Sequence, residues 1–232
     1  MTEYVFTPPE RPSLPVRGIS ARFPVRRIFC VGRNYAAHVR EMGRDPDRNP
    51  PFFFTKPGDA VVQNGATVSY PTGTTNLHHE IELVAAIGRG GADLTNAAVL
   101  DHVMGYAVGN DLTRRDLQLN ARDEGRPWDA GKAFDASAPM TEILRTQDIG
   151  HPDHGRIWLD VDGERRQEGD LAQLIWKLDE IVAACSRLWR LEPGDLIMTG
   201  TPAGIGPVTS GQTMVGGIDG FPELVTPVGT AA

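Results

Sequence analysis

Apolar and polar positions along the chain switch between the two-residue period of strands and the wider spacing of helices. RIFCVG at residues 27–32 is β-rich, and residues 35–42 have helical spacing, with Asn34 placed to cap that helix and Gly43 to end it. The run through Pro46, Asn49, Pro50 and Pro51 reads as loop, and residues 52–55 as a strand. Asn64-Gly65, between Val61-Val62 and Val68, predicts a hairpin. HEIELVAAIG at residues 79–88 alternates and then turns wholly apolar, as one strand does when it passes from a polar site into a core.

Further on, residues 97–104 read as helix, residues 106–110 as extended chain, and Thr113 with Asp116 as the cap of a helix reaching Glu124. Asp162-Gly163 marks a second hairpin, residues 175–189 have helical spacing, and residues 192–195 (EPGD) form a turn before a last β region that begins at residue 196. The sum is an α+β fold with more sheet than helix. Pro8, Pro9, Pro12 and Pro15 keep the start of the chain out of regular ladders, so residues 1–24 are expected as an extension packed on a single catalytic domain at 25–232.

Composition removes several classes of function. In 232 residues, 40% hydrophobic, there is enough apolar surface for a sizeable core, and a net charge of -7 without a long Lys/Arg run argues against nucleic acid as partner. No stretch approaches the ~20 apolar residues that cross a bilayer, and residues 1–15 lack the basic-then-apolar order of a signal peptide, so no membrane role is expected. Cys30 and Cys185 lie far apart and read as buried thiols, which fits a cytoplasmic setting.

The candidate chemistry begins with Glu80 and Glu82. Two apart on a strand, they share a face with Cα atoms ~6–7 Å apart, either as an ordinary solvated strand face or as two ligands of a cation. A third acid, Asp111, ends the run GYAVGN, and three carboxylates suit Mg²⁺ or Mn²⁺ better than zinc. His78 and His79 beside the pair read as supporting or packing residues rather than ligands.

His38 and Glu41 sit at i and i+3 on the short helix, either as a plain charged face or as a carboxylate-oriented base. The Pro-rich run that follows suits this helix to act as a movable lid. Lys132 lies among small and apolar residues, where an ammonium can face a developing oxyanion. Arg114, Arg115 and Gln118 open a helix just after Asp111, where a substrate carboxylate can meet side chains and dipole, or where arginines simply cover the surface. GTPAGIG at residues 200–206 lacks the Lys-Ser/Thr ending of a phosphate loop and reads as turns lining a pocket.

VGRNYAAHVREM, HHEIEL, GYAVGNDLTRRDLQ, GRPWDAGKAFDASAP, DGERRQEGD and LEPGDLIMTGTPAGIGPV, in this order, resemble the fumarylacetoacetate hydrolase family over residues 25–225 or so. PPFFFTKPGDAVV and the segment from PVRGIS to GRNY resemble more narrowly its bacterial fumarylpyruvate hydrolases, which act late in gentisate degradation. The resemblance implies a β-dominated fold, a homodimer, a 2,4-dioxo acid substrate, Glu80, Glu82 and Asp111 as ligands of Mg²⁺ or Mn²⁺, and Lys132 as the active-site lysine. It also implies His38 with Glu41 as the water-activating pair and Arg115, Gln118 and Thr201 as substrate contacts. Gln212, where relatives often carry Asp, departs from the pattern away from these positions. Decarboxylation or tautomerisation of oxaloacetate and a non-catalytic metal-binding role are the competing expectations.

Overall fold

A computed structural model describes residues 3–42, 49–95 and 98–231, the side chain of Val39 aside. Gly43 and Pro46, in the expected helix end and loop, and Ala97, in the expected helix 97–104, lie outside the described residues.

The β-rich run is realised as the strand Arg27–Gly32, which pairs parallel with Asp195–Met198 and antiparallel with Phe52–Pro57. From Asp195–Met198 the largest sheet continues through Ile81–Ile87, Val103–Asn110, Ala138–Met140 and Val61–Gln63. Its central strands are apolar on both faces because both are covered. Phe29, Val31, Leu83, Ala85 and Ile197 pack into one core with helix Leu178–Leu188 and with apolar side chains of a five-stranded sheet. Ile28, Cys30, Val84, Ala86 and Met198 pack into another, completed by Leu14, Val16 and Phe23 near the N-terminus. Truncating one of the larger of these side chains to Ala would cost about 2–5 kcal/mol. Both cysteines are buried and free. Among the described residues no helix is long and apolar enough to cross a membrane.

Asp162-Gly163 forms its hairpin, with φ of 51° and 82°, between Arg156–Val161 and Glu164–Asp170 of the five-stranded sheet. Asn64-Gly65 does not. Val61–Gln63 pairs instead with Ala138–Met140 and Val68–Tyr70 with Leu224–Ala231, while the Asn64 side chain bonds Val225 N and Glu223 O. Of the expected helix 97–104, the described part is a short 3-10 turn, Val99–His102, running into the strand Val103–Asn110. Pairing along Ile81–Ile87 overrides the helical spacing there.

Neither of two expected side-chain caps forms. Helix α1 spans Ala36–Glu41 with Tyr35 at its N-cap, and the Asn34 amide instead donates to Thr199 O and Trp176 O. Helix α2 spans Arg115–Asp123 without a side-chain cap; Thr113 donates its hydroxyl to Asp111 O, and Asp116 accepts from Thr74 and Thr75. The expected single strand from His79 is two. Leu77–His79 lies in a three-stranded sheet with Thr113–Arg114 and Gly206–Val208, Ile81–Ile87 lies in the large sheet, and Glu80 sits at the crossing.

Candidate active site

The crossing positions the acids. Ile81 pairs with Asn110, the Glu80 amide donates to Asn110 Oδ1 at 2.8 Å, and Asp111 N donates to Glu80 O at 2.8 Å, which locks two strand ends together. Glu82 follows on the same strand, with the parity that sends Val84 and Ala86 into the second core. Glu80, Glu82 and Asp111 are all buried, and each offers an oxygen within 4.8 Å of the others. The solvated-face reading of HEIE is thereby excluded.

Three cations surround this trio. Lys132, at the end of helix α3 (Asp129–Lys132), places Nζ 2.7 Å from both Glu80 Oε2 and Asp111 Oδ2. Arg115 donates to Glu80 Oε1. Lys56 Nζ lies 2.9 Å from Asp111 Oδ1, in ion-pair contact but off the hydrogen-bonding direction, since Oδ1 accepts no hydrogen bond from the described residues. Burial alone would raise the Glu80 carboxyl, but Lys132 and Arg115 outweigh it and hold it well below the ordinary range. Burial would likewise lower Lys132, and Asp111 with Glu80 raise it instead.

Glu82 is different. Its Oε2 accepts from Gly200 N at 2.7 Å, and no basic side chain among the described residues pairs with it. Burial, then Asp111 and Glu80, push its carboxyl well above the usual range. A buried carboxylate short of positive charge, beside two others in an all-oxygen cluster, fits a hard divalent cation.

Helix α1 contributes to the cleft wall through His38. His38 is buried, and its Nδ1 lies 3.2 Å from Glu41, whose carboxylate also accepts from Gly204 N at 3.1 Å. Burial raises the Glu41 carboxyl, but the bonds from His38 and Gly204 outweigh it and draw it below its ordinary value. Gly204 has φ +93°, and a Cβ there would meet Arg166 O at 2.0 Å, so only glycine offers this amide to Glu41. Together with the acids, His38, Arg115, Gln118, Lys132 and Thr201 line one cleft of about 560 Å³ open to solvent.

Arg115 and Gln118 are buried and bonded to each other, and Thr201 accepts from Gln167 Nε2 at 2.7 Å. Arg114 turns away to stack 4.5 Å from the Phe134 ring centroid. The two histidines before Glu80 serve the frame rather than the acid cluster. His79 Nδ1 is bonded to Gln167 Oε1, and burial draws its pKa down. His78 bridges Asn76 and Arg115, with burial and the guanidinium drawing it to about 4. Both imidazoles are therefore neutral near pH 7.

Two residues that the sequence patterns left unremarked hold the site together. Lys56 is buried and donates to Leu112 O and Lys132 O, so it braces the chain just after Asp111 and at Lys132; its strand parity with Phe54, a residue of the cleft wall, was the available signal. Gln167 accepts from Ile81 N, between the two glutamates, and donates to Thr201 and Pro202; it alone is fully buried in the polar strand Glu164–Asp170.

A β-rich fold around one buried acidic centre with an adjoining basic and imidazole wall defines an enzyme class, and comparisons identify it. Residues 27–229 match the model of the fumarylacetoacetate (FAA) hydrolase C-terminal family. The crystal structure of fumarylpyruvate hydrolase from Pseudomonas aeruginosa, in complex with Mn²⁺ and pyruvate, superposes with a TM-score of 0.95 at 54% identity, covering 98% of this chain and 100% of that one. The fumarylpyruvate hydrolase of Ralstonia sp is 44% identical over 192 residues, 82% of this chain and all of that protein. A mitochondrial oxaloacetate tautomerase of Mus musculus is 42% identical over 199 residues, 86% of this chain and 90% of the other. The chain belongs to the fumarylacetoacetate hydrolase family.

Proposed function

We propose that the chain is a divalent-metal-dependent hydrolase that cleaves fumarylpyruvate and water to fumarate and pyruvate, as in gentisate-type aromatic degradation, working in the cytoplasm as a homodimer. The observation that carries this reading is the convergence of Glu80, Glu82 and Asp111 in one cleft with His38, which Glu41 holds. Glu80, Glu82 and Asp111 would hold Mg²⁺ or Mn²⁺, which when bound polarises a chelating dicarbonyl and offsets negative charge.

The chain's own groups supply the remainder. Glu41 fixes the His38 ring through Nδ1, leaving Nε2 to take a proton from water as the hydroxyl oxygen bonds to the carbonyl carbon next to the fumaryl group. The bond from that carbon to the methylene then breaks, its electron pair passing to the pyruvate fragment as an enolate. His38 returns the proton to the methylene carbon. The Lys132 ammonium stands beside the developing negative charge, and Arg115, Gln118 and Thr201 hold the substrate's oxygens.

Support comes from the fumarylpyruvate hydrolases of P. aeruginosa and Ralstonia sp. The tautomerase relatives favour a second reading, interconversion of oxaloacetate tautomers, which needs no attack by water. Comparing kcat/KM for fumarylpyruvate, acetylpyruvate and oxaloacetate with Mg²⁺ or Mn²⁺ separates them. Loss of the enol-diketone absorbance with fumarate formed supports the hydrolase, and a preference for oxaloacetate overturns it.

A further inference from the structure

We propose that Arg122 is a second anion subsite, at the mouth of the cleft, which takes the far carboxylate of a dicarboxylic acylpyruvate. The proposal rests on the hydrolase reading for its substrate class. Arg115, Gln118 and Arg122 lie at i, i+3 and i+7 of α2, hence on one face, and all three line the cleft that holds the acids. Arg115 and Gln118 are buried at the inner end, whereas the Arg122 side chain is 27% exposed.

The helix therefore acts as a ruler. Seven residues advance the axis about 10 Å. Two carboxylates at the ends of a seven-carbon chain stand roughly 7–8 Å apart when extended, and a charge-assisted hydrogen bond adds about 2.8 Å. Oxaloacetate, with three carbon–carbon bonds, spans roughly 4 Å and is too short to join Arg115 to Arg122 as the longer diacid would. Leu119, Phe54 and Trp128 wall the same cleft, with the two rings 5.7 Å apart, an apolar lining suited to an unsaturated hydrocarbon linker.

The guanidinium is poised rather than committed. Its Nε and one terminal nitrogen both meet Asp123 Oδ1 at 2.8 Å, using part of a five-donor fork, and Asp123 is 65% exposed. An exposed pair between neighbouring residues of this kind is weak and yields readily to a better-placed carboxylate.

The test is steady-state kinetics of the Mn²⁺-loaded wild type, Arg122→Gln and Arg122→Lys on fumarylpyruvate, acetylpyruvate and oxaloacetate, with calorimetric titration of fumarate. Arg122→Gln is expected to lower kcat/KM for fumarylpyruvate by about 10- to 100-fold, chiefly through KM, and to change the other two substrates by less than about threefold. Arg122→Lys should fall between. Equal losses on all three substrates, or none on fumarylpyruvate, overturn the subsite. Fumarate affinity reads the site without turnover: unchanged binding in Arg122→Gln overturns it even if the wild type cleaves no acylpyruvate, an outcome that would separately sink the hydrolase reading.

Discussion

Lys132 Nζ stands 2.7 Å from Glu80 Oε2 and 2.7 Å from Asp111 Oδ2, so one ammonium bridges two of the three acids, while Glu82 leans on the amide of Gly200. Replacing it with an apolar side chain of similar length, Lys132→Met, leaves three buried acids facing only Arg115 and Lys56 among the described residues and should destabilise the metal-free protein by about 3–5 kcal/mol. Mn²⁺ should recover much of that loss, because it supplies the missing positive charge, while kcat stays down by about 10²–10³. Chemical denaturation with and without Mn²⁺, beside turnover, reads both effects.

Glu41 ties α1 to the glycine-rich loop through Gly204 while it orients His38. His38→Ala should lower kcat by about 10²–10⁴ with Mn²⁺ affinity unchanged. A His38→Ala protein that turns over at the wild-type rate would remove the proposed base.

The same contact carries a pH dependence. The Glu41 carboxyl titrates lower in the folded protein than in the unfolded chain, so its bonds add stability above the ordinary glutamate value of about 4.3, and that contribution fades as pH falls through the lower folded value. Glu41→Gln should abolish this acid-side part of the stability profile. Thermal melts between pH 3 and 6 compare the two proteins.

Gln167 joins the strand that carries the glutamates to the loop that carries Thr201. Gln167→Leu leaves Ile81 N, His79 Nδ1 and Pro202 O without this partner, which should cost about 2–4 kcal/mol of stability and weaken Mn²⁺ binding roughly tenfold. Denaturation and calorimetry read the two separately.

Much of this was legible in the chain. The β-rich run at residues 27–32 and the Asp162-Gly163 turn are local signals that the fold uses unchanged. The acids were legible as types and spacing, and the fold adds their meeting with Asp111. The failures at Asn34, Asn64, Asp116 and residues 99–104 share a cause: a partner far along the chain offered the backbone or side chain a better bond than the local motif did. The break at Glu80 could not be read because HEIELVAAI is apolar enough to suit one strand, and only the neighbouring sheets decide where it changes partners. Lys56 and Gln167 were hidden for the same reason, since a polar residue's burial depends on what covers it.

The most direct measurement is Mn²⁺ titration of metal-stripped wild type, Glu82→Gln and Asp111→Asn, with fumarylpyruvate cleavage followed in the same samples. Wild-type turnover is expected to rise in step with one bound ion per chain, and both variants are expected to lose ion binding and cleavage together while remaining folded. Full-rate cleavage by the stripped wild type, or a Glu82→Gln protein that binds and cleaves as the wild type does, would contradict the account.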